Sequence, residues 1–108
     1  MADAAILVLT QMPDRASAQA LARALVEARL AACVSVGASA DSLYHWRGEI
    51  ETAQEVPVAI KTRAARYAAV EAAILARHPY ELPEILAVPI TYGLARYLDW
   101  IAAETGGS

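Results

Sequence analysis

The chain is organised around the segment Arg77-His78-Pro79-Tyr80-Glu81-Leu82-Pro83-Glu84, which joins a helical pattern to a strand pattern. Its two prolines fix the φ angle and remove two backbone donors, so the segment is stiff and extended. Because the residue before a proline is pushed out of helical geometry, we predict that the preceding helix ends at His78. A stiff segment that presents an imidazole, a phenol and carboxylates is a candidate functional site.

A structural interpretation accounts for the same residues. His78 at the end of a helix interacts favourably with the negative end of the helix dipole. A proline just beyond a helix is a common stop signal, and Tyr80 can be a core aromatic with its hydroxyl at the surface. A lone histidine is also weak support for a metal site. Both interpretations therefore stay open.

Composition sets the class of protein. The chain has 108 residues, which predicts a single domain over residues 1–108. Its formal charge is −3 and its basic residues form no run, so we expect no binding to nucleic acid. It has neither an apolar run of about 18–20 residues nor a basic leader, so we expect no membrane span or signal peptide. Cys33 is the only cysteine, which fits a reducing cytoplasm.

The first third of the chain predicts a strand, a helix and a second strand. Ala4 to Thr10 is apolar and short, which is typical of a buried strand. Asp14 is a candidate N-cap for a helix that runs to Leu30. The exposed face is predicted at Arg15, Gln19, Arg23 and Glu27, and the buried face at Ala18, Leu21, Ala22, Leu25 and Ala28. A strand from Ala31 to Val36 follows a tight connection, and its Cys33 is interpreted as a small hydrophobe because no basic partner is evident.

The middle of the chain predicts a long hairpin after a polar loop at residues 37–42. In the strand from Leu43 to Glu51, Tyr44 and Trp46 share one face, and Gly48 suggests a bulge or bend. We expect the turn near Thr52. The second arm, residues 54–62, presents one face that consists of Val56, Val58, Ile60 and Thr62. Its Pro57 predicts an edge position or a bulge, because proline cannot donate to a ladder.

The remaining patterns complete the fold prediction. They are a helix from Ala64 to Arg77 with Tyr67, Val70, Ala73 and Ile74 inward, a strand from Ile85 to Ile90, a helix from Leu94 to Ala103 with Leu94, Tyr97, Leu98 and Ile101 on one side, and a frayed tail from Thr105 to Ser108. The order β-α-β-β-α-β-α is that of a ferredoxin-like α+β domain with an extra C-terminal helix. Its antiparallel sheet carries helices on one face, so we expect the other face to be covered by symmetric assembly.

Several segments together resemble the CutA family of divalent-cation tolerance proteins. They are Pro13-Asp14, Leu30-Ala31-Ala32-Cys33-Val34, Ser42-Leu43-Tyr44-His45-Trp46-Arg47-Gly48-Glu49-Ile50, Glu55, Lys61-Thr62, His78-Pro79-Tyr80-Glu81-Leu82-Pro83-Glu84-Ile85 and Tyr97-Leu98-Asp99-Trp100-Ile101. The resemblance covers nearly the whole chain. It implies a cytoplasmic homotrimer, similar in architecture to the trimeric PII signalling proteins, that is involved in the response to metal ions.

The resemblance also implies a copper site, but this chain departs from it. The family's copper ligands are a cysteine ending the first strand and two consecutive histidines before Pro-Tyr. Here Thr10 and Arg77 occupy two of those positions, and only His78 matches. A hydroxyl suits copper poorly, and a charged arginine cannot ligate. We therefore predict weak binding of Cu(II) or another divalent cation through His78, with Glu81 and Glu84 as helpers, and no required cofactor.

An alternative function is a PII-like binding or signalling module. A cleft between subunits would take a small anionic ligand or a loop of a partner protein, with charge and aromatic walls from Tyr44, Trp46, Arg47, Lys61 and Tyr80. A trimeric scaffold without a small ligand is a third alternative. The sequence shows no nucleophile–base pair, phosphate loop or supported pair of acids, so we do not expect an enzyme.

Overall fold

The computed structural model describes residues 3–106, which form five strands and three α-helices. The strands are β1 (Ala5–Met12), β2 (Cys33–Val36), β3 (Ala40–Trp46), β4 (Glu49–Arg63) and β5 (Ile85–Pro89). The helices are α1 (Arg15–Glu27), α2 (Tyr67–Arg77) and α3 (Ala95–Glu104), and a 3-10 turn at Ala64–Arg66 precedes α2. The predicted order of elements is confirmed.

The sheet has the strand order β2-β4-β1-β5, with every pair antiparallel. This is the predicted ferredoxin-like α+β arrangement with an added C-terminal helix. Strand β4 has 15 residues, and only its second half lies inside the sheet. Its first half pairs with β3 alone, from Trp46↔Glu49 to Ala40↔Glu55. The β3–β4 arm therefore projects from the domain, whose extents are 46 × 25 × 23 Å.

The core lies between one face of the sheet and helices α1 and α2. Val56, Val58, Ile60 and Thr62 of β4 are buried, as predicted. Strand β1 buries only alternate residues, although its sequence is continuously apolar. Strands bury every second side chain because successive residues point to opposite faces. Helix α1 adds Leu21 and Leu25, and α2 adds Val70 and Ile74. Each large apolar side chain buried in this way stabilises the fold by roughly 1.5–3 kcal/mol.

Helix α1 begins as predicted and ends earlier. The Asp14 carboxylate accepts a hydrogen bond from the Ser17 amide at 2.7 Å, so Asp14 is the N-cap. The helix ends at Glu27 rather than at Leu30, and Arg29 has a left-handed φ of 59°. The prediction that Ala28 is buried is wrong, because this residue caps the helix at the surface.

The hairpin turn lies at Arg47 and Gly48, where the φ angles are 53° and 84°. Two positive φ angles in succession are the geometry that matches the twist of a two-residue hairpin. The prediction of a turn near Thr52 is therefore wrong, because Thr52 lies within β4. Of the bulge or bend predicted at Gly48, the structure shows the bend, which is the hairpin turn itself. Strand β3 also begins at Ala40, inside the stretch that the sequence assigned to a loop.

Pro57 lies in a central strand, so its predicted edge position is wrong. Strand β4 pairs with β1 on one side and with β2 on the other. Pro57 lies opposite Gly37, just after β2 ends. Its carbonyl accepts a hydrogen bond from the Gly37 amide at 2.9 Å. Proline has no N–H to return that bond, and the Gly37 carbonyl instead accepts one from the Arg15 guanidinium at 3.1 Å. A side chain at position 37 would meet the proline ring at 2.9 Å, which explains the glycine.

Helix α3 lies on the sheet face opposite α1 and α2. Lys61 lies between the buried Ile60 and Thr62 in β4, so its side chain points to the opposite face of the sheet. There its ammonium group is 5.9 Å from the centre of the Tyr97 ring of α3. Of the predicted apolar side, only Ile101 is fully buried, whereas Leu94 is 65% exposed. This short helix leaves much of the face open.

The segment after α3 is anchored, so the predicted frayed tail is wrong at Thr105. This residue is fully buried, and its hydroxyl accepts a hydrogen bond from Arg63 at 2.9 Å and donates one to the Ile101 carbonyl at 2.8 Å. Its carbonyl accepts from both Arg63 and Arg66 at 2.8 Å. Residues 107 and 108, which the prediction also included, lie outside the described residues.

An apolar patch remains uncovered on the open face. Leu86 and Val88 of the edge strand β5 are 56% and 43% exposed. They pair with Leu9 and Leu7 of β1, which are half-buried on the same face. We call these four residues the open-face patch. No helix within residues 3–106 is long and apolar enough to cross a membrane.

Candidate functional site

The segment at residues 77–84 leaves α2 as predicted. Helix α2 ends at Arg77, and His78 has extended angles of φ −84° and ψ 130° while its amide still donates to the Ile74 carbonyl at 2.9 Å. Pro79 imposes this geometry, because a helical residue before a proline would clash with its ring. The helix end therefore fixes where the imidazole is placed.

Both nitrogens of the His78 ring are engaged by backbone groups. Nε2 lies 2.6 Å from the Gln11 carbonyl oxygen, and Nδ1 lies 3.3 Å from the Tyr80 amide nitrogen. Nε2 therefore carries the proton and donates, and Nδ1 accepts from the Tyr80 amide. The ring is half-buried, with its centre 4.6 Å from that of the Tyr80 ring. The imidazole is therefore not free to ligate, since a metal must displace one of these bonds.

Glu81 and Glu84, the two expected helper ligands, form no metal cluster with His78 in the described part of the chain, and Thr10 stands where the family has a cysteine. The Thr10 side chain is buried at 1% exposure, and its hydroxyl has no hydrogen-bond partner within residues 3–106. Glu81 forms an ion pair with Arg47 at 2.9 Å, and Glu84 is exposed. In the described part of the chain, no group of three or more His, Cys, Asp and Glu residues is placed to hold a metal ion.

A groove of about 970 Å³ lies between the β3–β4 arm and the segment at residues 80–84. Tyr44 and Trp46 line it from the arm, and Tyr80 lines it from the other side. At the tip of the arm, Arg47 lies over the Trp46 ring at 5.3 Å and pairs with Glu81. Three of the five residues predicted for a cleft between subunits therefore line a groove within one chain, and Arg47 stands at its rim.

The fifth predicted cleft residue, Lys61, lies elsewhere. Lys61 of β4 pairs with Cys33 of the neighbouring strand β2, and its ammonium group is 4.0 Å from the thiol sulfur. The expectation that Cys33 lacks a basic neighbour is therefore wrong. The thiol is half-buried on the open face, where it accepts a weak hydrogen bond from the lysine.

The sequence analysis missed Glu55 as a groove residue. Glu55 lies in β4 just before the buried Val56, is only 8% exposed, and lines the groove beside Tyr80. Burial raises the pKa of Tyr80 above its ordinary value, and the neighbouring Glu55 carboxylate adds to that rise. The available signal was the register of the arm, which puts Glu55 on the same face as Ser42, Tyr44 and Trp46.

Comparison with known proteins gives a consistent family match. The family model described as CutA1 divalent ion tolerance protein matches residues 6–104. The divalent-cation tolerance protein CutA of Thermus thermophilus is 41% identical over 100 residues, which cover 93% of this chain and 97% of that protein. The structure of CutA from Xylella fastidiosa has a TM-score of 0.90 at 44% identity, covering 94% of this chain and 97% of that one. The Archaeoglobus fulgidus structure, described as a periplasmic divalent cation tolerance protein CutA, has a TM-score of 0.90 at 36% identity, covering 94% and 98%.

Proposed function

This chain belongs to the CutA1 family of divalent ion tolerance proteins, and on that premise we propose that it acts in the cellular response to divalent metal ions. One observation carries this proposal, namely the match over 93% of the chain to a relative that is named for divalent-cation tolerance. We propose that the protein acts by binding rather than by catalysis, in keeping with a family that is named for tolerance of divalent ions.

A growth experiment tests the metal response. The gene is deleted in the source organism, and growth is followed over a series of copper, zinc and cobalt concentrations. We expect the deletion to change the tolerated concentration of at least one metal and the wild-type gene to restore it. Growth curves that coincide with those of the parent at every metal concentration would contradict the proposal.

We propose that the functional unit is a homotrimer. The open-face patch supports this assembly, because Leu86 and Val88 on an edge strand favour contact with another copy over contact with water. The projecting β3–β4 arm offers a second contact surface. Light scattering should give three times the chain mass of 11.5 kDa. A mass equal to one chain at micromolar concentration would refute this proposal.

Copper binding in this chain is proposed to be weak and to involve His78. The engaged ring nitrogens support weak binding, because ligation must break a hydrogen bond to Gln11 or Tyr80. Glu81 is held by Arg47, which reduces its availability as a second ligand.

We also propose a cytoplasmic location, which the free thiol of Cys33 supports. Cell fractionation tests the location, and recovery in a periplasmic fraction would contradict it.

A second candidate function, a PII-like binding module, is favoured by the groove. Tyr44, Trp46 and Tyr80 line one cavity whose volume lies within the range of about 300–1,000 Å³ that is usual for small-molecule sites. A thermal-shift panel of metals and nucleotides tests it, because a ligand that binds only the folded state raises the midpoint.

A further inference from the structure

The β3–β4 arm depends on contacts beyond its own strands. Within residues 3–106, β3 pairs with β4 alone, so the arm is a two-stranded ribbon. A two-stranded hairpin by itself is at best marginally stable in water. Strand β4 gains its second neighbour in the sheet only from Val56 onward, where it pairs with Met12 of β1. Something outside the arm must therefore hold it in place.

The segment after α2 contacts the arm near both of its ends. At the base, the Tyr80 phenol donates a hydrogen bond to the carboxylate of Glu55, which is only 8% exposed and is the last residue of β4 to pair with β3. At the tip, Glu81 forms an ion pair with Arg47 at 2.9 Å. Both partners of this pair are 70% exposed, and exposed pairs contribute little to stability. The hydrogen bond at the base is therefore the stronger of the two contacts, because its acceptor is charged.

His78 holds this segment against the body of the domain. The pairing of β1 with β5 ends at Thr10↔Ile85, so the next residue, Gln11, lies beyond the last pair. Its carbonyl accepts the Nε2–H of His78 at 2.6 Å in place of a strand partner. On the other side of the ring, Nδ1 accepts from the Tyr80 amide at 3.3 Å. One imidazole thus joins the end of β1 to the residue that reaches the arm.

We propose that residues 78–81 are a brace that holds the arm in place, and that His78 is its positioning residue. The imidazole fixes Tyr80 to β1, and the phenol fixes the base of the arm at Glu55. Pro79 lies between the two rings and restricts φ, so a shift of the imidazole is passed on to the phenol. The brace thereby also sets the width of the groove that the arm borders. This inference depends neither on metal binding nor on a ligand of the groove.

Amide hydrogen exchange measures how firmly the arm is held. It is followed by NMR on the whole protein, and the amides of residues 41–54 in the arm are compared with those of β1. His78→Ala should raise the exchange rates in the arm at least about fivefold relative to β1, because two hydrogen bonds to backbone groups are lost. His78→Gln can still donate to the Gln11 carbonyl, so it should return the arm to within about twofold of the parent.

Two further variants separate the two contacts of the brace. Tyr80→Phe removes only the hydroxyl that reaches Glu55, and it should raise exchange in the arm about tenfold, since a hydrogen bond to a charged group is lost. This variant carries the test should His78→Ala fail to fold. Glu81→Gln is the matched control on the same segment, and it should change exchange in the arm less than about twofold because its ion pair is exposed.

The pattern of exchange decides the proposal. Faster exchange confined to the arm in His78→Ala or Tyr80→Phe, with recovery in His78→Gln, supports the brace. Arm amides as protected in both His78→Ala and Tyr80→Phe as in the parent would show that other contacts, such as those with a second copy, hold the arm, and would overturn it. An equal rise in the arm and in β1 would also overturn it, because these side chains would then contribute only to the stability of the whole fold.

Discussion

Replacement of Thr105 by valine tests whether the end of the chain is part of the folded structure. The sequence predicts a frayed tail here, for which the change would be neutral. In the structure, the Thr105 hydroxyl accepts a hydrogen bond from the Arg63 side chain and donates one to the Ile101 carbonyl. Valine fills nearly the same volume but can neither accept nor donate. The substitution therefore removes two hydrogen bonds without opening a cavity.

The expected loss of stability follows from those two bonds. A hydrogen bond to a charged group contributes about 1.5–3 kcal/mol, and a neutral one contributes about 0.5–1.5 kcal/mol. Arg63 keeps its bond to the Thr105 carbonyl and its ion pair with Asp3, so part of the first contribution survives. We therefore expect the free energy of unfolding to fall by about 2 kcal/mol.

The assay is guanidinium denaturation followed by far-UV circular dichroism at one fixed protein concentration. Fixed concentration matters because assembly shifts apparent stability. The control is Thr91→Val, since Thr91 is exposed and lies outside the helices and strands, and we expect its unfolding free energy to change by less than about 0.5 kcal/mol. Equal midpoints for Thr105→Val and the parent would refute the reasoning and restore the frayed tail.

Three further predictions concern the arm, the imidazole and the phenol. Trp46→Ala should lower the thermal midpoint and loosen assembly as measured by light scattering, and a variant as stable and as trimeric as the parent would show that Trp46 is not an interface anchor. His78→Ala should abolish weak Cu(II) binding in calorimetry, whereas loss with the control His45→Ala alone would move the site to the hairpin. The raised pKa of Tyr80, caused first by burial, keeps its proton in the folded state, so its contribution to stability is complete below about pH 10 and is lost as pH rises through the folded pKa. Tyr80→Phe should therefore remove a late step from the alkaline absorbance titration, and the exposed Tyr92→Phe should not remove that step.

Local signals in the sequence predicted most of the elements. A short apolar run predicted β1, and alternation of apolar residues predicted the buried face of β4, because the period of a strand depends only on its own backbone. Asp14 and His78 marked the start of α1 and the end of α2, since caps and proline effects involve only adjacent residues. The hairpin turn was misplaced because Arg47 is an unusual residue in a left-handed conformation, where asparagine or aspartate is the common signal.

The sequence by itself determined the order of strands and helices, the faces that build the core and the family to which the chain belongs. The tertiary structure decided which side chains meet. His78 contacts the Gln11 carbonyl from 67 positions away in the sequence, and Lys61 reaches Cys33 from 28 positions away. Glu55 became a groove residue only because the arm folds beside Tyr80. Periodicity and capping depend on neighbours along the chain, whereas these contacts depend on strand register and packing between distant segments, which no local pattern encodes.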